Sequence, residues 1–373
     1  MSPFGPRVPD VERIAVVRAN ALGDYIFSLP ALDSLRAAYP GAELTLLGAD
    51  WHARVLPGRP GPVDRVVRLP PIPGLTVPAD ATDPGETGDF LAWARRQRFD
   101  LALQLHGGGR YSNPIVSALG ARVTAGLRAG DAPPLDRSVP YVYYQPEVFR
   151  YLEVAALVGA PPVTYRPDFA RTHGDRAEVE AVLGAPRADR PRAVLHPGAT
   201  DTRRRWPAER FAAVGDALAA AGAEVLVTGV RAERGVVDRV CGGMRAPVRV
   251  VVDELSIGGL AGLYEGCAVV VSNDTGPLHL ANAVGTRTVG IYWVGNMING
   301  APVDRSRARP LISWMIHCPE CGTDCTRDLY PARGGGNGCA HRSSFVADIP
   351  VAEVVDELRD LLERDAGPPP PGA

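Results

Sequence analysis

Lysine is absent from this 373-residue chain, and all 40 basic residues are arginine. The absence excludes any mechanism built on a lysine Schiff base. Every cationic contact with an anion must come from the flat, bidentate guanidinium fork of arginine. A GC-rich coding bias explains the absence without reference to function. Charge of one sign is not in excess either: the formal net charge is -2, so no global basic field draws the chain to nucleic acid. Apolar runs are all too short to span a bilayer, and MSPFGPRVPDVERIAVV has no apolar stretch before a small-residue cleavage site. No transmembrane segment or secretory leader is expected, and the protein reads as cytoplasmic. Six cysteines in a chain of this length do not make a secreted disulfide scaffold.

What is present is a repeated alternation of β-branched runs and amphipathic stretches, the pattern of parallel α/β layers. Strands are expected at 13–18, 43–48, 63–69 and 100–106, with helices from the loop ANALGD to about Tyr39 and over 146–158. Residues 70–88 are rich in Pro, Gly, Asp and Thr and read as a loop. The Pro-rich stretch GAPPVTYRPD reads as a linker. A second alternation follows, with strands at 193–198, 223–229, 267–274 and 286–293 and a helix over 207–222. The expected division is a first Rossmann-like domain over 1–165 and a second over 172–350. A terminal helix over 350–364 is free to pack back on the first domain, and 365–373 is a disordered tail by composition.

Three segments carry chemistry. In NALGDYIFSLP (20–30) a glycine lies between strand and helix, where backbone N–H groups attract anions. Asp24 stands there and repels phosphate, so this is not the dinucleotide fingerprint. Asp24 reads either as a helix cap for the N–H groups of Tyr25 to Phe27 or as a general base at the strand's carboxyl edge. In HPGATDTRRRWP (196–207) three arginines precede Trp206-Pro207. They read as a diphosphate clamp or as a solvated basic loop. In VVVSNDTGPLHLANAVG (269–285) an apolar strand runs into Asp274-Thr275-Gly276 at a helix start, a phosphate cradle by construction. His279 on the first turn reads as part of that cradle or as a packing histidine.

These blocks together resemble glycosyltransferase family 9, over roughly residues 13–362. RANALGDYIFSLPALDSLRAAYPGAELTLL is similar to the family's opening block. HPGATDTRRRWPAERF is similar to its donor block, and SNDTGPLHLANAVGTRTVGIYW to its Asp-Thr-Gly-x-x-His block. The resemblance implies a GT-B fold of two Rossmann-like domains whose parallel sheets face an interdomain cleft. It implies inverting, metal-independent transfer from a nucleotide-diphosphate sugar, ADP-heptose in the best-known members, and no cofactor. It assigns Asp24 as the base. It assigns Arg204 to the diphosphate (the family usually has lysine there), Thr275 and Gly276 to the phosphate site, Asp274 and His279 to the polar shell, and Glu233 to the donor ribose. Thr200 lies in the same donor block. No Asp-x-Asp pair occurs, so arginine and a helix dipole replace the magnesium clamp of other transferases.

The acceptor, a glycan, a lipid-linked sugar or a small molecule, is expected at the first domain near HGGGRYSN, with His106, Arg110 and Asn113 as candidate contacts. A lipid-linked acceptor implies peripheral work at the inner face of the membrane. The competing readings are a nucleotide-sugar epimerase of the same two-domain fold and a non-catalytic nucleotide-sugar-binding protein. One segment stands apart: Cys318, Cys321 and Cys325 in CPECGTDC, then Cys339, with His317 and His341 flanking. Four thiolates suffice for a structural zinc; the other reading is a reduced cysteine-rich loop.

Overall fold

The apolar runs at Ile14–Val17, Leu44–Leu47 and Leu101–Leu105 are almost wholly inaccessible to solvent. That is the demand on central parallel strands, which are covered by helices on both faces. A computed structural model describes residues 5–82, 85–326 and 339–363, and the expected tail at 365–373 lies outside them. The chain divides into two compact units, residues 1–170 and 171–373.

In the first unit the order is β1 (Arg13–Val17), α1 (Leu22–Ala38), β2 (Glu43–Gly48), α2 (Asp50–Val55), β3 (Arg65–Arg68) and α3 (Glu86–Gln97). β4 (Leu101–Gln104), α4 (Ser112–Ala118), β5 (Val123–Arg128), β6 (Arg137–Pro140) and α5 (Glu147–Leu157) complete it. The six strands are all parallel, in the order β3-β2-β1-β4-β5-β6.

The second unit begins with α6 (His173–Leu183), β7 (Arg192–His196), α7 (Ala208–Ala220), β8 (Glu224–Gly229), α8 (Arg234–Gly243) and β9 (Arg249–Val252). α9 (Ile257–Glu265), β10 (Val269–Asn273), α10 (Gly276–Ala283), β11 (Thr288–Trp293), α11 (Val294–Gly300), β12 (Ala308–Ser313) and α12 (Val351–Glu363) follow. Its parallel sheet runs β12-β11-β10-β7-β8-β9. Renumbered from its own first strand, that is the same Rossmann order as the first unit. Each sheet therefore reverses direction of winding once, between β1 and β4 and between β7 and β10. The crevice outside the carboxyl ends at such a switch point is where open α/β sheets bind ligands.

Two expectations meet a different arrangement. The stretch expected as a linker packs on the first unit: Val163 N–H donates to Ser34 Oγ at 3.4 Å, the Tyr165 ring meets Phe149 edge-on, and directly beyond the stretch Phe169 is buried with the Arg59 guanidinium 4.6 Å from its ring centroid. An aromatic with a cation stacked on it is held by apolar area and by the ring quadrupole together, so Phe169 anchors the stretch. The terminal helix α12, considered for the first unit, packs instead against α7, β11 and β12. Its apolar face, Val354, Leu358 and Leu361, joins the second unit's core, as the i, i+4, i+7 spacing allows.

Candidate functional site

The polar residues that the sequence singles out fall into two groups, one at the switch point of each sheet. In the first unit β1 delivers Arg18 directly beyond its last residue, and Arg18 is buried. Its Nε and Nη2 donate to the Asp24 carbonyl at 2.9 and 2.6 Å, and Nη2 also reaches Asp24 Oδ1 at 3.2 Å. Nη1 donates to the Leu105 carbonyl at the end of the neighbouring strand. The guanidinium sits 4.6 Å from the Tyr151 ring centroid, and Tyr151 in turn donates to Glu147. This buried cation is thus satisfied on every side, as burial of a charge requires.

Asp24 occupies the third position of α1. Its Oδ2 does not cap the N–H groups of Tyr25 to Phe27. It turns back and accepts from the Ala21 N–H at 3.2 Å, the backward half of a capping box. With one oxygen on Ala21 and the other on Arg18, the carboxylate is fixed in direction. Its side chain remains 37% exposed. A carboxylate so held, at the carboxyl edge of β1 and open to solvent, is able to accept a proton from a hydroxyl placed beside it.

Beside it, His106 Nδ1 accepts from the Ala19 N–H at 3.3 Å. Burial, reinforced by the Arg18 charge, lowers the His106 pKa to about 3, so the imidazole is neutral at physiological pH. Gln104 shapes the loop that follows: its amide donates to the carbonyls of His106 and Gly107 and to Ser112 Oγ, and its carbonyl accepts from Leu127 N–H. Arg110 is half exposed and pairs with Asp131 at 3.3 Å. Asn113 is fully buried, and its amide donates to the Leu127 and Pro133 carbonyls at 3.2 and 2.9 Å. Its side chain holds a loop in place and faces no solvent, so of the three expected acceptor contacts only His106, partly exposed, and Arg110, exposed, reach the surface.

In the second unit the three arginines of 203–205 separate by role. Arg203 binds Asp201 through two nitrogens, and Arg205 donates to the Ala199 carbonyl at 2.8 Å. Arg204 reaches to the end of β10, where Nη1 lies 3.2 Å from the Asp274 carbonyl and 3.3 Å from Asp274 Oδ2. Asp274 is buried and also meets His279 Nε2 at 3.1 Å and the Asn296 amide at 2.6 Å. Burial works to raise its pKa, but His279, Arg204 and Asn296 outweigh burial and hold the group below the ordinary carboxylate range. α10 starts at Gly276 with Thr275 as its N-cap and no side-chain cap bond. Pro277 carries no N–H, and Leu278 N–H donates to the Thr275 carbonyl at 3.0 Å. Among the described residues no hydrogen bond from the Thr275 or Gly276 amide is found, and both stand at the positive end of the helix dipole, where negative charge is favoured.

A further cluster lies at the ends of β7 and β8. His196 Nδ1 pairs with Thr228 Oγ1 at 3.0 Å, and its Nε2 lies 3.8 Å from Glu233 Oε2. Burial lowers the His196 pKa. Glu233 Oε2 also accepts from the Val230 N–H at 3.1 Å. The Glu233 carboxylate lies so close over Gly198 that a Cβ there would meet it at 2.1 Å. Thr200 is exposed on the same loop. Asn273 ties the parts together, accepting from Trp206 N–H at 3.0 Å and donating to the Pro197 carbonyl at 2.8 Å.

Residues 93–323 match the model of glycosyltransferase family 9 (heptosyltransferase), more than half of the chain. The chain belongs to glycosyltransferase family 9. It is 26% identical over 296 residues to lipopolysaccharide heptosyltransferase 1 of Pseudomonas aeruginosa, covering 76% of this chain and 79% of that protein. The family 9 glycosyltransferase of Veillonella parvula superposes with a TM-score of 0.74 at 21% identity, over 95% of this chain and 97% of that one. ADP-heptose lipopolysaccharide heptosyltransferase II of E. coli gives 0.72 at 19% identity, over 95% and 100%. The fold is accordingly GT-B, built of two Rossmann-like units, and the enzyme is a heptosyltransferase-like glycosyltransferase.

For this glycosyltransferase, sequence reasoning missed Arg18 and Asn296. Each is a single polar residue next to an apolar strand, and only the fold shows what it touches. The cysteine segment also differs from expectation. Cys318, Cys321, Cys339 and His341 bring their ligand atoms within 4.8 Å of one another. Cys325 is not among them: it is buried in the core cluster of the second unit, with its thiol on the Thr323 carbonyl at 3.4 Å. Among the described residues no helix is long and apolar enough to cross a membrane.

Proposed function

We propose that the enzyme transfers a heptose, with inversion, from ADP-heptose to a hydroxyl of a glycan or lipid-linked saccharide, working in the cytoplasm at the inner face of the membrane. The family assignment and the ADP-heptose named for the E. coli structure support the donor. The lipopolysaccharide heptosyltransferase of P. aeruginosa supports an acceptor of the lipopolysaccharide-core kind. The observation that carries the chemistry is the direction of Asp24, fixed by Arg18 and Ala21 yet open to solvent.

In this reading the acceptor oxygen attacks the anomeric carbon from the face opposite the diphosphate. The acceptor O–C1 bond forms as the C1–O(phosphate) bond breaks, and ADP departs with the electron pair. Asp24 takes the hydroxyl proton. The charge growing on the diphosphate meets Arg204 and the Thr275 and Gly276 amides, which act most strongly in the transition state. Asp274, His279 and Asn296 orient Arg204. Glu233 receives the donor ribose hydroxyls, and His106 and Arg110 face the acceptor. In this reading the base is a side chain and the anion site is a guanidinium together with two backbone amides.

The test combines binding and turnover. A thermal-shift screen of ADP-, GDP-, UDP- and dTDP-linked sugars should stabilise most with the ADP-linked heptose, by about 2.7 kcal/mol at a hundredfold excess over Kd. Asp24→Asn should lose transfer by about 10²–10⁴-fold while donor affinity stays within twofold. A fully active Asp24→Asn enzyme refutes the base. Conversion of donor to an isomer without acceptor would replace transfer by epimerisation.

A further inference from the structure

The cysteine group of the second unit has no part in the transfer chemistry, yet its geometry is specific. Cys321 Sγ and Cys339 Sγ are 3.7 Å apart. His341 Nδ1 is 3.6 Å from Cys318 Sγ and 3.6 Å from Cys339 Sγ. A disulfide would need its sulfurs about 2.05 Å apart, and none of the six cysteines is paired that way. Tetrahedral ligation by a cation with Zn–S of about 2.3 Å and Zn–N of about 2.0–2.1 Å places two sulfurs about 3.8 Å apart and sulfur and nitrogen about 3.6 Å apart. These three separations match that tetrahedron, and all four ligand atoms lie within 4.8 Å of one another.

The surroundings fit as well. The Gly322 N–H donates to the Cys318 carbonyl at 2.9 Å, and Gly322 adopts φ +71°. This Cys-x-x-Cys-Gly turn aims both sulfurs to one side, and the left-handed position suits only glycine without cost. His341 turns Nδ1 to the sulfurs while its Nε2 lies 3.6 Å from Glu320 Oε2. A carboxylate behind the ring is the usual device that sets the tautomer of a metal-ligating histidine.

We propose that Cys318, Cys321, Cys339 and His341 form a structural zinc site that props the Arg204 loop. The arm leaving the site is the argument for that second role. Residues 339–345 form no helix or strand, so they hold their place only by their contacts. Those contacts fall on residues flanking Arg204: Phe345 N–H donates to the Arg203 carbonyl at 2.7 Å, Ser344 Oγ to the Arg205 carbonyl at 2.7 Å, and Thr202 Oγ1 to the Arg342 carbonyl at 3.3 Å. Fixing Cys339 and His341 to the turn at Cys318 and Cys321 anchors the arm, and the arm anchors the loop that carries Arg204. The set is closed, three thiolates and an imidazole, which marks a structural site with no position left for a substrate.

The test uses the full chain, expressed with zinc and iron supplied equally and purified without chelators. Elemental analysis should find about one zinc per chain in the wild type and in Cys325→Ser, and under a tenth of that in Cys321→Ser and His341→Ala. Absence of stoichiometric zinc, iron in its place, or full zinc retention by His341→Ala overturns the site. The second role rests on the donor reading above and is read with ADP alone as probe. Zinc-free His341→Ala, shown folded by circular dichroism, should bind ADP at least tenfold more weakly than wild type. Unchanged ADP affinity in that variant overturns the propping role. Failure of the zinc-loaded wild type to bind ADP sinks the donor reading and with it this role, while the zinc count still decides the site.

Discussion

At the scale of single residues, the catalytic assignment depends on a group that the sequence does not announce. Arg18 holds the Asp24 carbonyl and one carboxylate oxygen, and it bridges to the end of β4 through the Leu105 carbonyl. The planar fork reaches three acceptors that a single ammonium cannot reach together. Arg18→Lys should therefore lower kcat by about tenfold or more and leave donor affinity unchanged. It should also cost about 2–3 kcal/mol of stability, since two buried carbonyls lose donors. Steady-state kinetics with a donor titration and urea unfolding check the two effects separately. Unchanged kcat would show that Ala21 alone orients the base. Spacing alone left Asp24 balanced between cap and base. In the structure the carboxylate turns back to the Ala21 N–H instead of capping Tyr25 to Phe27, and that bond helps fix the direction of the other oxygen, which the proposed base requires.

At the scale of elements, the central strands were legible because a strand covered on both faces writes itself as an unbroken apolar run. The internal strand β5 (VTAGLR), its apolar run broken by Thr124 and Gly126, was not read, and neither were the edge strands β6 (RSVP), β9 (RVVV) and β12 (ARPLIS). The edge strands are short, half exposed, and carry proline or arginine, which edge positions tolerate. The donor block was legible because a strand, a small-residue turn and Pro at a helix start form a signal in sequence order. The zinc ligand set was not, because spacing does not say which way a thiol points. Cys325 faces the core, and His341 takes the place expected of it.

The turn after β7 gives an element-level prediction. Glu233 occupies the space that a side chain at 198 would need, so Gly198→Ala must push the carboxylate aside. A glutamate tip moves at little cost, and the fold should hold to within about 1 kcal/mol. If Glu233 reads the ribose, Gly198→Ala should weaken ADP binding as much as Glu233→Ala, with no further loss in the double variant. Calorimetric titration of the three variants checks this; full additivity would separate the two residues.

Titration acts on the first unit as a whole. His52 and His106 have their pKa values lowered to about 3, chiefly by burial. Their folded pKa lies below the unfolded value near 6.5, so the unfolded state binds more protons between those limits. Each histidine therefore removes about 1.4 kcal/mol of stability per pH unit as pH falls below about 6.5. Asp33 works in the opposite direction. Burial and then Asp168 raise it to about 6, so the folded state gains a proton there before the unfolded state does. Between pH 6 and 4 the balance is one proton, a net loss of about 1.4 kcal/mol per pH unit from these three groups. Urea unfolding at stepped pH should show His52→Gln flattening the fall and Asp33→Asn steepening it. A slope that ignores both substitutions would place the acid sensitivity elsewhere.

At the scale of the whole molecule, a chain without lysine has one kind of side chain with which to bind a diphosphate at neutral pH, and most copies of it are already engaged. Arg18 is buried behind Asp24, Arg203 is paired with Asp201, and Arg205 is turned to a backbone carbonyl. Arg204 is 28% exposed and meets Asp274 through a single nitrogen, which leaves further N–H donors of its fork for an anion. Chemical modification should reveal this asymmetry. Amine acylation should find only the terminal amine and leave turnover intact, whereas an arginine-directed dicarbonyl should inactivate the enzyme, and ADP should protect it. Arg204→Ala should bind ADP about 10- to 100-fold more weakly, a loss of about 1.4–2.7 kcal/mol, and its residual activity should no longer be protected by ADP at concentrations that shield the wild type. Peptide mapping identifies the modified residue directly. Protection centred on any arginine other than Arg204 would move the diphosphate site away from the start of α10.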